Sequence, residues 1–253
     1  MAAVKAKGKL VSIVINNEYI KICEITKTGK NVIVHKTVTI PTPEGCYEDG
    51  ILENIPNLAS AIKAVMDEHR FASKDVAFSI SSPRLATKEV LIPNVKGDKV
   101  GKIVQANATE YFPVNMDEYI IQHTILEKIE DSGQDKLKLM VAAVPSEVAE
   151  SYYNLAKTLG FKIAFIDYVG NSTYQIMKQQ IGPEVSLVIQ VENDSTVINI
   201  FKENVLQLQR MIPYGKSMLV NAVMERYELK YDAATAKLQN ETLLHSRFDG
   251  DEV

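Results

Sequence analysis

The chain has 253 residues, 46% hydrophobic and 24% charged, with a formal net charge of −4. That length suits one large domain or two small ones, with the composition of a globular protein that builds a core. No basic stripe speaks for nucleic acid, no run approaches the ~20 apolar residues of a membrane-spanning helix, and the N-terminus lacks the apolar stretch of a signal peptide. A soluble, cytoplasmic protein is expected, with no direct membrane insertion, reaching a membrane through a partner.

Lys5, Lys7 and Lys9 read as solubilising charge on a frayed end. Leu10–Ile15, Tyr19–Ile25 and Val32–Ile40 are apolar runs broken by the polar turns Asn16-Asn17-Glu18 and Thr26–Lys30, a three-strand meander. Thr42–Asp49 is a Pro/Gly loop. Asn54–Arg70 carries Ile55, Leu58, Ile62, Val65 and Met66 at helical spacing. Asp75–Ser82 is a further strand, ended by Ser82-Pro83.

From Leu85 to Phe161 the pattern reads strand (Ala86–Ile92), helix (Val95–Tyr111), strand (Tyr119–Ile129), strand (Lys136–Val144), helix (Ser146–Leu159). The first helix should turn Val100, Ile103, Val104 and Ala108 inward, and Phe112-Pro113 ends it. Ser146 is the expected N-cap of the last helix and Gly160 its C-terminal residue. This order predicts an inserted α+β unit with a sheet of its own. Ile163–Asp167 is a strand, Asn171–Gln180 a helix, and Ile181-Gly182-Pro183 a linker. Val185–Met211 then repeats the opening meander, with its first turn at Glu192-Asn193-Asp194-Ser195. Lys216–Tyr227 and Asp232–Gln239 are helices, and a polar tail follows. Two copies of one meander in one chain predict two related lobes.

Common catalytic signatures are absent: there is no Gly-x-Ser-x-Gly, P-loop or Gly-x-Gly-x-x-Gly. Cys23, in an apolar strand, and Cys46, in a loop, read as a buried thiol and a loop thiol, not as a disulfide or a metal knuckle. His35, His69, His123 and His245 are scattered, without ligand spacing, so they are expected to be structural or superficial and no metal site is expected.

Three segments carry a family resemblance in their order and spacing: the loop P-x-G-x-x-x-D-G at Pro43–Gly50, LIPNVKGDKVGKIVQANATEYFPVNMDEY, and VAAVPSEVAESYYNLAKTLGFKIAFID. They resemble the PilM family of type IV pilus assembly proteins and, more loosely, the FtsA division proteins, over nearly the whole chain. The resemblance implies an α/β fold of actin-like (ribonuclease-H-like) lobes with an inserted α+β (strand-helix-strand-strand) subdomain. The first lobe would be 1–84 plus 162–182, the insertion 85–161, and 183–253 part of a second, incomplete lobe, because only fourteen residues follow Gln239.

It also implies that each meander points its first turn at a nucleotide's phosphates, with an acid and a glycine in each turn. Here Val14 and Asn16 stand at those places in the first turn, followed by Asn17 and Glu18. Gln190 and Glu192 stand there in the second, followed by Asp194 and Ser195. A hydrophobe cannot ligate magnesium, and a carboxylate beside phosphate repels it. The expectation is therefore a scaffold without ATP hydrolysis and without a cofactor. By resemblance it would bind the N-terminal cytoplasmic peptide of a PilN-like inner-membrane partner, with other pilus assembly proteins and self-association as further contacts. The alternatives are an ATPase that uses ATP with Mg to gate assembly, and an FtsA-like division protein. The peptide groove would lie between the first lobe and the insertion. Candidate residues are Ile120, Ile121, Ile125 and Leu126, more apolar side chains than one buried strand face needs.

Overall fold

The computed structural model describes residues 8–28, 31–178 and 180–241. Expectations for Lys5, Lys7, His245 and the polar tail lie outside the described residues. Strands β1 (Lys9–Ile15), β2 (Tyr19–Thr28) and β3 (Asn31–Pro41) form the first meander, β2 running past the expected end at Ile25. Their alternation places Val11, Ile13 and Ile15 beside Ile20 and Ile22 on one buried face. The same alternation turns Cys23 outward, half-buried, whereas the loop residue Cys46 is fully buried, the reverse of the expected pair. The loop also holds a small hairpin, β4 (Tyr47–Glu48) and β5 (Ile51–Leu52). Asp49 and Gly50 turn it with φ of 49° and 96°, and a Cβ on Gly50 would fall 2.5 Å from that of Ser82. Helix α1 (Ile55–Glu68) lays Leu58, Ile62 and Met66 on the buried face, and β6 (Asp75–Ile80) pairs parallel to β1.

The insertion builds its own sheet from β7 (Ala86–Pro93), then, beyond α2 (Lys99–Ala106) and α3 (Ala108–Tyr111), β8 (Tyr119–Asp131) and β9 (Gln134–Pro145), in the order β7-β9-β8. The single helix expected over Val95–Tyr111 is two. Gly97, at φ 62°, delays its start, and Asn107 (φ −103°, ψ 8°) interrupts it. Val100, Val104 and Ala108 are buried as expected. Helix α4 (Ser146–Leu159) has Pro145, not the expected Ser146, at its N-cap position, and Ser146 is its first residue. It ends in left-handed Gly160, with Phe161 N–H bonded to the Ala156 carbonyl at 2.8 Å. Although sequence order groups α4 with the insertion, its Val148, Tyr152 and Leu155 pack into the first lobe's core with Phe78 and Ile62.

The chain then returns as β10 (Lys162–Tyr168), parallel to β6, completing the sheet β10-β6-β1-β2-β3. Helix α5 (Val169–Met177) starts before the expected Asn171. The second meander, β11 (Ser186–Val191), β12 (Thr196–Lys202) and β13 (Val205–Ile212), forms a separate sheet. Helices α6 (Lys216–Tyr227) and α7 (Tyr231–Asn240) pack on one another through Val220, Val223 and Ala234.

One buried charge ties the first lobe's lower end. Glu24, with no exposed surface, accepts from Lys9 Nζ at 2.9 Å and from the N–H groups of Ala72 (2.8 Å) and Ser73 (3.3 Å). Burial pushes its carboxyl up, but Lys9 and the two N–H groups outweigh that and hold it below its ordinary 4.5. A folded-state value below the unfolded one stabilises above pH ~4.5 and stops doing so as pH falls through the folded value. Glu24→Gln should therefore lower stability by about 1–3 kcal/mol at pH 7 in urea titrations. The gap from the parent protein should close in acid.

Candidate functional site

The first turns of the two meanders meet. In the β1–β2 turn, Asn16 Oδ1 accepts from the N–H groups of Glu18 (2.9 Å) and Tyr19 (2.7 Å), so the turn binds two of its own donors. In the β11–β12 turn, Glu192 N–H donates to the Ser195 carbonyl at 2.8 Å. The first N–H groups of α6 are also used: Lys216 donates to the Glu192 carbonyl (2.9 Å) and Ser217 to that of Asn193 (2.8 Å). Gln190 accepts from Thr173 Oγ1 at 2.9 Å and donates to Glu192 Oε1 at 2.5 Å. Across the gap, Asn193 Nδ2 donates to Asn17 Oδ1 (3.0 Å), Tyr19 Oη to Glu192 Oε2 (3.4 Å), and Lys216 Nζ pairs with Glu18 (2.6 Å).

Between the lobes lies a cleft of about 600 Å³. Val14, Asn16, Asn17, Gln190, Glu192, Asp194 and Ser195 all line it, whereas Glu18 turns to Lys216. Among the described residues, Asp49, Glu192 and Asp194 face it against one lining cation, Lys21. Burial together with these three carboxylates pushes the Tyr47 hydroxyl far up. A magnesium triphosphate does not fit these residues. The N–H groups of Glu18, Tyr19, Glu192, Lys216 and Ser217 are bonded internally, and the carboxylates repel phosphate. Among the described residues no three His, Cys, Asp or Glu side chains converge to hold a metal ion.

A second cavity, about 250 Å³, lies between the insertion and the first lobe. Its walls are apolar: Ile120 from β8, Met140, Ala142 and Val144 from β9, Ile80 and Ile166 from the main sheet. Its polar groups include Gln122, His123, Asp167 and Asn171. Asp167 Oδ1 accepts from Tyr168 N–H (2.9 Å) and Asn171 Nδ2 (3.0 Å). Its Oδ2 accepts from Asn171 Nδ2 (2.9 Å) and, at a long 3.4 Å, from Ser172 Oγ. Burial raises the Asp167 carboxyl above its ordinary value, since these neutral donors do not outweigh the desolvation.

The four groove candidates separate. Ile120 lines the cavity. Ile121, of opposite parity, packs with Val141 and Ala143 in the insertion's core, on the face that α2 covers. Ile125 is 49% exposed and outside the cavity, and Leu126, at a bulge, packs on Met140, Tyr174 and Phe201. His123, expected to be structural or superficial, lines the groove. Asp167 and Asn171 were not singled out by sequence, although a carboxylate ending a parallel strand sits where α/β sheets gather ligands.

The close seat of α6 on the second turn is testable. A Cβ at Gly215 would lie 2.3 Å from the Asn193 carbonyl oxygen and 2.6 Å from that of Glu192. Gly215→Ala should cost about 1–3 kcal/mol, read by thermal denaturation, because backbone atoms must give way.

The family model for the type IV pilus assembly protein PilM matches residues 12–247. A solved PilM-PilN type IV pilus biogenesis complex is similar with a TM-score of 0.79 at 18% identity, covering 92% of this chain and 70% of that one. The cytoplasmic domain of EpsL, an inner membrane component of the type II secretion system of Vibrio cholerae, matches at TM-score 0.50 and 9% identity, over 88% of this chain and 78% of that one. MreB 5 of Spiroplasma citri, bound to AMPPNP, gives TM-score 0.50 at 9% identity, over 94% of this chain and 64% of that one. No curated protein matches in sequence. At such identities the solved structures establish the actin-like α/β fold. Matched by the family model along almost its full length, the chain belongs to the PilM family of type IV pilus assembly proteins.

Proposed function

We propose that the chain is a non-catalytic cytoplasmic adaptor of type IV pilus assembly. It holds an extended N-terminal segment of a PilN-like inner-membrane protein between its insertion and its first lobe. The observation that carries this reading is the apolar groove floored by β8 and β9 and walled by Ile80 and Ile166. Two rigid sheets hold it open, and an extended segment can place alternate side chains in it. The partnership of PilM with PilN in the solved relative supports the choice of partner. Among the described residues no helix is long and apolar enough to cross a membrane, so a membrane-bound partner would supply the anchorage.

A segment that orders on binding should bind with roughly micromolar affinity. Calorimetry with the N-terminal peptide of the PilN-like protein from the same genome should give that value. Ile120→Asp should weaken it about tenfold or more with unchanged circular dichroism, whereas Ile121→Asp should unfold the insertion. No heat of binding to the intact protein would overturn the proposal.

In this reading the interlobe cleft does not hydrolyse ATP, because phosphoryl transfer needs metal and positioned donors at the developing charge. Val14 and Gln190 supply no metal-binding acid, and Asn16 occupies the N–H groups of Glu18 and Tyr19. ATP turnover should equal that of a mock purification. The cleft's volume alone favours the second reading, an ATP-gated adaptor. Turnover above the mock, lost in Asp194→Asn, would establish that reading.

A further inference from the structure

Among the described residues, the groove between the insertion and the first lobe carries one carboxylate and no Lys or Arg of its own. Asp167 faces walls made by Ile120, Met140, Val144 and Ile166, and Asn171 stands beside it. Among the described residues, no Lys or Arg comes within ion-pair distance of Asp167. His123, the nearest thing to a base in the lining, is shifted by burial toward its neutral form. The carboxylate's donors are all neutral: one backbone N–H, the Asn171 amide and the Ser172 hydroxyl. At 3.4 Å the Ser172 contact is long for a hydroxyl bond to a carboxylate, so Oδ2 retains capacity for a further donor. A desolvated carboxylate without a counter-charge is unfavourable, and a cation arriving between apolar walls is attracted more strongly than in water.

We infer that the groove selects a segment that brings a positive charge, flanked by apolar side chains, onto Asp167. This rests on the groove being the partner's seat, and it names what distinguishes the right partner from another apolar strand. The charge is an ammonium or guanidinium group, from a Lys or Arg side chain or from the free α-amino end of the segment. The apolar flanks fill the space beside Ile120 and Ile80, and the cation fixes the register, since shifting an extended chain by one residue turns its side chains to the other face.

The competing role for Asp167 is internal. Its bonds to Asn171 and to Tyr168 N–H also hold the start of α5, and that role would be blind to the partner's charge. Peptide chemistry separates the two. The N-terminal peptide of the PilN-like protein from the same genome is titrated by calorimetry in three forms: native, N-acetylated, and with each Lys or Arg changed singly to Gln. Each form is measured against the parent protein and against Asp167→Asn.

One charge removal should weaken binding to the parent protein about tenfold, and the arm in which this happens identifies the source of the charge. Asp167→Asn should bind the native peptide as weakly as the parent protein binds that neutralised form. Neutralising the peptide should then cost the variant nothing more. Equal affinity of every neutralised peptide for the parent protein overturns the inference and leaves the groove reading standing. Absence of binding by the native peptide overturns both. If Asp167→Asn proves too unstable to titrate, the peptide series on the parent protein decides alone.

Discussion

Two hairpin turns face one another across the lobes, and several of their backbone N–H groups are bonded within the protein, while the buried Asn193 Oδ1 has no partner. The Glu18 and Tyr19 N–H groups end on Asn16, and the first N–H groups of α6 end on the carbonyls of Glu192 and Asn193. A backbone donor that is satisfied inside the chain has little to gain from an anion. The lobes meet through other contacts, Asn193 Nδ2 to Asn17 Oδ1, Tyr19 Oη to Glu192 Oε2 and the Glu18–Lys216 pair. The Glu18–Lys216 pair is partly exposed on both sides and adds at most about 1 kcal/mol. Within the second lobe, the contact of Gly215 with the Asn193 backbone fixes α6 against the turn with no side chain between them.

The meanders share a register but not an environment. Val11, Ile13 and Ile15 lie under α1 and α4, almost without exposure. Leu187, Ile189 and Val191, at the same places relative to the second turn, are 58%, 54% and 60% exposed. The difference follows from what packs on each face. In the first lobe two helices bring Leu58, Ile62, Tyr152 and Leu155 onto the sheet, whereas α6 and α7 turn their apolar residues toward each other. One strand pattern thus serves a core in one lobe and an apolar surface in the other.

Local signals carried much of the fold. Alternation marked β1–β3 and β11–β13, helical spacing marked α1, and Gly160 ended α4 as its left-handed geometry requires. What escaped depended on partners distant in sequence. Tyr152 and Leu155 give α4 a strong apolar face, but nothing local says that Phe78 rather than the insertion's sheet will meet it. β8 is apolar on both faces, so its sequence did not tell Ile120 from Ile121. The covering of one face by α2 decided that Ile121 is core and Ile120 lines a cavity. The cleft's lining was legible through the repeat, since Val14 and Gln190 hold corresponding places. Its chemistry was less so, because Asn16's bonds to its own turn and Thr173's bond to Gln190 are tertiary facts.

The groove and the cleft share a wall. Asp167 and Asn171 face the groove, whereas Ser172 and Thr173, the next residues of α5, face the cleft. Ser172 contacts Asp167 Oδ2 at 3.4 Å and Ser79 Oγ at 3.5 Å, and Thr173 holds Gln190 at 2.9 Å. Polar groups on the cleft side are therefore bonded in ways that position α5 and, with it, the carboxylate at the groove. Gln190, at a place where the resemblance implies a metal-binding acid, instead receives Thr173's hydroxyl and passes a bond to Glu192. Neutral amide chemistry at that position favours a fixed α5 over a charge that needs a cation. Under the proposed function, the internal bonds of Gln190 and Thr173 make the cleft side a support for the groove's wall, as a binding site on rigid elements requires.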